Sequence, residues 1–378
     1  MSSSDEFPRR LKVCLIASEL LGWGKAGGYG FATRGIARGL AERGHEVSVV
    51  LPCPRGMEPG RFELDGFQVV SYPRRKLFAS SRLFRALDAD VYHSQEPSLA
   101  SYLAQRAIPE KTHLVTLRDP RDWHDWWIEF NHPTFSRTRA LLTIGVYQNP
   151  LTYRAIRNAD AAFVPAKCLV DKATRKYGLD GPPGFLPTPV QMPVKIQKAD
   201  RPTVCFVGRL DRRKRPERFI DLAEQFPAVT FKMAGVSQDP DYQRQIDRRC
   251  EGLANLELLG FVDQFRDARL SRLLNESWVM VNTSGREGLP NSFIEAAGHG
   301  CALVSELDPD QFTSRFGELV TEGDFGHALK QLLDSGAWRE RGARGRAYVQ
   351  STNDPDTAIA QHLEQYQATL AAKSRRSR

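Results

Sequence analysis

The sequence predicts an α/β protein built from two doubly wound, Rossmann-like domains that face each other across a cleft. Three observations carry this. Short apolar runs alternate with stretches of helical period, and strand, helix, strand in succession implies parallel pairing through crossover helices. The alternation restarts after a polar stretch, KIQKADRP at 195–202. The chain has 378 residues, more than one hydrophobic core usually serves.

In the first half, LKVCLIAS (11–18) reads as a strand. The following YGFATRGIARGLAERG places Ala32, Ile36 and Leu40 four apart on one helix face, and Gly44 closes that helix. EVSVVLP, ADVYHS, HLVTL, ADAAFVP and GFLPTP supply further strands. In the second half RPTVCFVGRL opens a new series. RPERFIDLAEQF is a helix with Pro216 in its first turn and Phe219, Leu222, Ala223 and Phe226 on one face. TFKMAG, LELLGFV, SWVMVNTS and CALVSE follow as strands. The predicted domains are 1–195 and 196–355. A last helix at about 356–372 is placed to return to the first domain, so 356–378 is grouped with it, and the tail KSRRSR reads as disordered.

Composition narrows the function classes. Hydrophobic residues at 41% and charged residues at 26% describe a globular protein. Lys and Arg number 53 against 45 Asp and Glu, a net charge of +8, with a pI near 9.2. That excess suits a phosphate-bearing ligand or an anionic membrane surface and is too small to demand nucleic acid. The start, MSSSDEFPRRLK, lacks a signal-peptide apolar stretch, and no run of about 18 apolar residues exists to span a bilayer. Cys14, Cys53, Cys168, Cys205, Cys250 and Cys301 are scattered without a CxxC pair. They read as reduced thiols of a cytoplasmic protein.

Ligands of open α/β sheets bind at the carboxyl ends of strands, so polar residues just after the strands are the candidates. GWGKAGGYG (22–30) follows the first strand. Its glycines let backbone N–H groups approach an anion at the next helix N-terminus; a bland glycine-rich loop is the alternative. GRLDRRKRP follows TVCFV, with Arg209 at the strand end and Lys214 five residues on. A fork donor plus a point charge suits a diphosphate; a solvated basic loop is the alternative, given Arg212, Arg213, Arg215 and Arg218. After SWVMVNTS comes SGREGLPNSFIEAAGHG (284–300), with Glu287 in a loop and Glu295 in a helix eight positions later. Two such carboxylates can hold two hydroxylated rings, while the amides of Gly288 and Leu289 can donate to the same ligand. A helix-capping acid and a solvent-facing Glu are the plainer reading of the pair.

Together VGRL-x3-K, AG near 235, LGFV at 259–262 and EGLPNSFIEAAGHG-CALV resemble the C-terminal domain of family 4 retaining glycosyltransferases, enzymes of the GT-B architecture. GG with GLAERGHEVSVVLP resembles their N-terminal domain, and the resemblance covers most of residues 11–350. It implies transfer of a sugar from a nucleotide-diphosphate sugar, UDP- or GDP-linked, to an acceptor hydroxyl, in cell-surface glycan or glycolipid synthesis. By resemblance Arg209 and Lys214 bind the diphosphate, Glu287, Gly288 and Leu289 hold the transferred sugar, and Glu295 takes the ribose hydroxyls. Phe261 and Val262 flank the base, and Gly27 and Gly28 approach the phosphates or the acceptor. Arg209, Lys214 and Glu287 are the catalytic set. No cofactor or metal is implied, and no DxD or His-rich cluster is present.

The sequence departs from the family pattern in three places. VTLRDP puts Arg118 or Asp119 where the family has a histidine near the donor sugar. VYHSQE puts Gln95 where it has a second, leaving His93, and PTPV (187–190) replaces the interdomain NG turn. Arg118 and His93 are thus candidate sugar contacts, with a structural histidine as the other reading of His93. A nucleotide-sugar-binding protein of the same fold that has lost transfer is the alternative function. WHDWWIEF (123–130) reads either as an acceptor or lipid-headgroup contact or as buried packing. RRKLFASSRLFR (74–85) reads either as an amphipathic membrane contact or as a solvated helix face. A glycan or lipid-linked acceptor and peripheral contact with the inner face of the membrane are the corresponding expectations.

Overall fold

The structure, a computed structural model, describes residues 10–23, 27–54, 56–131, 137–263 and 265–376. Parallel strands feeding crossover helices form two sheets. The first contains β1 (Lys12–Ile16), β2 (Glu46–Pro52), β3 (Arg61–Leu64), β4 (Phe67–Tyr72), β5 (Val91–Ser94), β6 (Thr112–Thr116), β7 (Ala161–Val164) and β8 (Gly184–Phe185). Their order is β3-β4-β2-β1-β5-β6-β7-β8, all parallel except the β3–β4 hairpin. The second contains β9 (Thr203–Val207), β10 (Thr230–Ala234), β11 (Leu256–Gly260), β12 (Val279–Asn282), β13 (Ala302–Ser305) and β14 (Gly317–Leu319). Its order is β11-β10-β9-β12-β13-β14, entirely parallel.

Both sheets are buried on both faces, which is why their strands read as continuous apolar runs rather than alternating ones. In β1, Val13 and Leu15 face one core with Ile36, Leu40 and Val49. Cys14 and Ile16 face the other with Val50, Phe84 and Tyr92. In the second sheet Val204 and Phe206 pack with Phe219 and Phe231, while Cys205 packs with Met280, Phe293 and Leu303.

The predicted strands and helices appear near their predicted positions, with three additions or corrections. β3 and β4 come from RFELDGFQVVSY, joined through Asp65 and Gly66, which both have positive φ, at 48° and 79°. That is a two-residue hairpin turn of the Asn/Asp-Gly kind. β14, of three residues, is the other addition. The tail prediction fails for its first part: the last helix runs Pro355–Arg376, and Lys373 Nζ bonds Asp160 Oδ2 at 2.8 Å and the carbonyl of Pro109 at 3.2 Å. Ser377 and Arg378 lie outside the described residues.

That last helix leaves the second domain and covers the first. Ile359 and Tyr366 are fully buried in the first domain's core. Among the described residues no helix is long and apolar enough to cross a membrane.

Ile359→Ala should remove a fully buried side chain from the junction between this helix and the Gly28–Glu42 helix. The expected cost is about 2–5 kcal/mol for a large-to-small core change, read as a lower urea midpoint for the first-domain transition. An unchanged midpoint would show that the helix does not stabilise that domain.

Candidate functional site

In a doubly wound sheet the ligand crevice opens where the strand order reverses. The first sheet reverses between β1 and β5, the second between β9 and β12. At the second reversal the loop after β9 carries Arg209 to Lys214, and the loop after β12 carries Ser284 to Leu289. Asp211 shapes the first loop by accepting from the amides of Arg213 and Lys214, both at 3.2 Å. The loops are tied together by Gly285 N–H to the Arg213 carbonyl at 3.0 Å and Arg215 Nε to the Thr283 carbonyl at 2.7 Å.

The result is an ion pair between Lys214 Nζ and Glu287 Oε1 across the reversal. The same Glu287 oxygen accepts from Ser284 Oγ at 2.6 Å and Asn282 Nδ2 at 3.3 Å. Burial by itself would raise the Glu287 carboxyl, but Lys214, Ser284 and Asn282 favour the charged form more strongly and hold it below its ordinary value. Arg209 lies in the same loop, a third exposed, with Nη2 3.5 Å from Asp211 Oδ2.

Glu295 is buried in the helix Asn291–Gly298. Phe261 is 45% exposed just past β11, and Val262 packs against the second domain's core. Leu289 touches apolar clusters of both domains. A Cβ on Gly288 would come 3.4 Å from the Arg118 carbonyl oxygen. The loop bearing Glu287 is therefore wedged between the domains.

The glycine-rich loop meets this region, since Asn291 Nδ2 donates to the Gly28 carbonyl at 2.8 Å. Gly24, Lys25 and Ala26 lie outside the described residues. Gly27 is extended, with φ −160°, so its need is steric: a Cβ there would sit 2.1 Å from Glu19 Oε1. That carboxylate accepts from Gly30 N–H at 3.2 Å. The negative charge favoured at this helix N-terminus is supplied by the chain itself.

The two N-terminal candidates fall below the cleft. His93 is fully buried, its ring nitrogens engaged with Tyr366 OH at 2.8 Å and Thr116 Oγ1 at 2.7 Å. Burial, with His362 and Arg118 nearby, pushes its pKa well down and keeps it neutral. Both ring nitrogens are thus engaged within the first domain's packing. Arg118 is also buried, donating to Gln95 Oε1 at 2.6 Å and Thr188 Oγ1 at 3.2 Å.

Sequence reasoning missed the first sheet's own reversal. Glu96, after β5, accepts from Ser18, after β1, and from Tyr147. Burial raises its carboxyl pKa despite those donors. The strand-end rule, applied to SQE as it was to GRL, could have found it. It also missed the acids of WHDWWIEF: Asp125 is buried and Glu129 is paired with Arg213. Among the described residues no group of three or more His, Cys, Asp or Glu is placed to hold a metal ion.

Comparison with known proteins fits this geometry. Residues 27–184 match the family model described as a glycosyl transferase 4-like domain, and residues 201–335 match that of glycosyl transferases group 1. No curated protein sequence matches the chain. Sucrose-phosphate synthase from Thermosynechococcus elongatus superposes with a TM-score of 0.72 at 19% identity, over 96% of this chain and 100% of that one. Anabaena HepE, in complex with UDP and glucose, superposes at 0.70 and 16% identity, over 94% and 99%. The catalytic domain of starch synthase IV from Arabidopsis thaliana, bound to ADP and acarbose, superposes at 0.62 and 15%, over 96% and 100%. These likenesses show the fold, two facing parallel-sheet domains of the GT-B kind.

The depressed Glu287 carboxyl has a stability consequence. A group with a lowered folded pKa adds stability that is present above its unfolded value, near 4.3, and lost as pH falls through the folded value. Glu287→Gln should therefore be less stable than the parent at pH 7, and the gap should close as pH falls below the ordinary glutamate range. Denaturant unfolding at pH 7 and pH 3.5 measures it. A gap that stayed constant with pH would show that the pair adds no charge-dependent stability.

Proposed function

We propose that this chain, a glycosyltransferase of the GT-B type, moves a sugar from a UDP- or GDP-sugar to an acceptor hydroxyl with retention at the anomeric carbon and without a metal. The observation that carries this reading is the Lys214–Glu287 pair at the reversal of the second sheet. It sets a cation for a leaving diphosphate against a carboxylate for sugar hydroxyls.

The chemistry follows from where charge develops. The bond between the anomeric carbon and the diphosphate oxygen breaks, its electron pair goes to the diphosphate, and the sugar gains oxocarbenium character. Arg209 and Lys214 stabilise the developing negative charge. Glu287 orients the sugar through its hydroxyls rather than acting as a base, because Lys214, Ser284 and Asn282 engage its carboxylate and hold its pKa below the ordinary value, which makes it a weak proton acceptor. Gly288 and Leu289 amides complete the sugar contacts. The acceptor oxygen bonds the anomeric carbon from the leaving-group face, and its proton passes to the departing diphosphate. Glu295 holds the ribose, and the exposed Phe261 with Val262 flanks the base. That HepE binds UDP and glucose in the same fold supports a nucleotide-sugar donor here.

Arg209→Ala should weaken binding of UDP or GDP with the fold intact, and Lys214→Ala should lower kcat by roughly 10²–10³, the cost of removing one charge-stabilising donor. Glu295→Ala should weaken the free nucleotide, whereas Glu287→Ala should spare it and lower turnover. Calorimetry and donor turnover separate these. Equal nucleotide affinity in all four variants would remove the site.

We further propose a lipid-linked or membrane-presented acceptor, with peripheral docking at the inner face of the membrane. In RRKLFASSRLFR, Leu77, Leu83 and Phe84 serve the core, leaving Phe78 75% exposed. In the helix Trp123–Asn131, Trp126 is buried but Trp123 and Trp127 are 73% and 63% exposed. Such aromatics, with Lys and Arg worth about 1 kcal/mol each near an anionic surface, give reversible docking. Co-sedimentation with anionic liposomes should occur at low salt, weaken at high salt, and drop in Trp123→Ala/Trp127→Ala. No binding at low salt, with full activity on a water-soluble acceptor, would overturn membrane docking and leave the transferase reading standing.

A further inference from the structure

Each donor loop carries an arginine immediately before its donor residue, and each of these arginines leaves its own domain. Arg213, before Lys214, pairs with Glu129. Arg286, before Glu287, donates from Nε to Asp125 Oδ1 at 2.6 Å, and from Nη2 and Nη1 to the two oxygens of Asp119 at 2.6 and 3.2 Å.

The three acids form one preset receptor on the first domain. Asp125 and Glu129 lie four apart, on one face of the Trp123–Asn131 helix. Asp119 follows β6. Arg121 holds Asp119 at 2.7 Å and lies 3.7 Å from Glu129, and Lys172 holds Asp125. Lys172 also lies 3.2 Å from Asp122, so Arg121 and Lys172 stand against four carboxylates and leave two net negative charges, which the two crossing arginines balance. All five side chains of the crossing contacts are 6–21% exposed, so salt screens them less than surface pairs. Burial opposes ionisation of Asp119, yet Arg121 and Arg286 hold its carboxyl well below the ordinary range.

We propose that Arg213 and Arg286 form a two-point latch that closes the first domain onto the donor loops and, through chain adjacency, sets Lys214 and Glu287 in their working positions. They are positioning residues, and the role rests on reading Lys214 and Glu287 as donor residues. Gly285 N–H bonded to the Arg213 carbonyl makes the two latch points one unit. A ligand binding to the second domain alone needs only Arg209, Lys214 and Glu295. Transfer needs the closed form, because the acceptor must reach the anomeric carbon from the other domain. Nucleotide affinity and turnover should therefore respond differently to the latch.

The test uses Arg213→Gln, Glu129→Gln, the two combined, and Arg213→Gln/Arg286→Gln. Small-angle X-ray scattering reads domain closure without any donor. Calorimetry reads UDP and GDP affinity, and donor turnover reads kcat. The arginine double variant should show a larger radius of gyration, nucleotide affinity close to the parent's, and a kcat lower by roughly tenfold to a hundredfold, the effect of displacing a reacting group by about 1 Å. Arg213→Gln and Glu129→Gln should each open the protein, and their combination should be no worse than either, as for partners in one contact. Parent-like compactness and kcat in the arginine double variant, or strictly additive effects of Arg213→Gln and Glu129→Gln, would overturn the latch. A parent protein that bound neither UDP nor GDP would instead overturn the donor reading, while scattering would still report on closure.

Discussion

A parallel sheet covered by helices on both faces leaves a ligand one opening, the gap at the carboxyl edge where consecutive crossovers diverge. The rest of this molecule is arranged around two such gaps. Between β1 and β5 the gap is spanned by Ser18 and Tyr147 donating to Glu96. Between β9 and β12 it is spanned by Lys214 and Glu287. In each case one side chain comes from the loop after the first strand and one from the loop after the strand across the reversal. The site is thus a product of topology: the same residues on a meander would never meet, since Lys214 and Glu287 are 73 positions apart in sequence.

The cluster of cations around Lys214 looks redundant until its partners are counted. Arg209 meets Asp211, Arg212 stacks over Tyr242 at 4.6 Å, Arg213 meets Glu129, Lys214 meets Glu287, and Arg215 and Arg218 share Glu306. The cations are spread over several elements, so one loop organises the second domain's crevice, its neighbouring strand end and the facing domain. A solvated basic loop has no such distribution. Lys214 and Glu287 already balance each other's charge, so an anion reaching Lys214 would compete with Glu287 rather than fill an uncompensated hole.

The fold was legible because it rests on periods short enough to read locally: apolar runs of four to seven residues for the buried strands and the four-residue repeat of Ala32, Ile36 and Leu40. What escaped was either short, as with three-residue β14, or carried by turn chemistry at Asp65 and Gly66 rather than by apolar pattern. What was legible from the strand pattern was placement: Arg209 and Lys214 in the loop after β9, Glu287 in the loop after β12, and Glu295 in the helix that follows. The ion pairs of Arg286 were not. Asp119 and Asp125 lie 167 and 161 positions away from it, and an arginine without local partners reads as solvated. WHDWWIEF misled for a related reason. Its aromatics draw attention to contact surfaces, while Asp125 and Glu129 between them carry the interdomain charge.

Arg118 and Gln95, two separate departures from the family pattern in sequence, are one feature in space. A buried cation costs several kcal/mol unless well partnered, and among the described residues no carboxylate lies within ion-pair distance of Arg118. Its compensation comes from dipoles, the Gln95 amide oxygen and the Thr188 hydroxyl. These do not fully offset burial, which lowers its pKa to about 10 and still leaves it a cation at neutral pH. Thr188 belongs to the segment joining the two domains, and its carbonyl accepts from Asn353 Nδ2 at 2.9 Å, while His362 Nε2 bonds the neighbouring Pro187 carbonyl at 3.1 Å. A long, forked side chain reaches the β5 end and the connecting segment together, which an imidazole at the same position is too short to do. Arg118 thus ties the β5 end to the crossover between the domains, while its neighbour Asp119 meets the loop that carries Arg286 and Glu287.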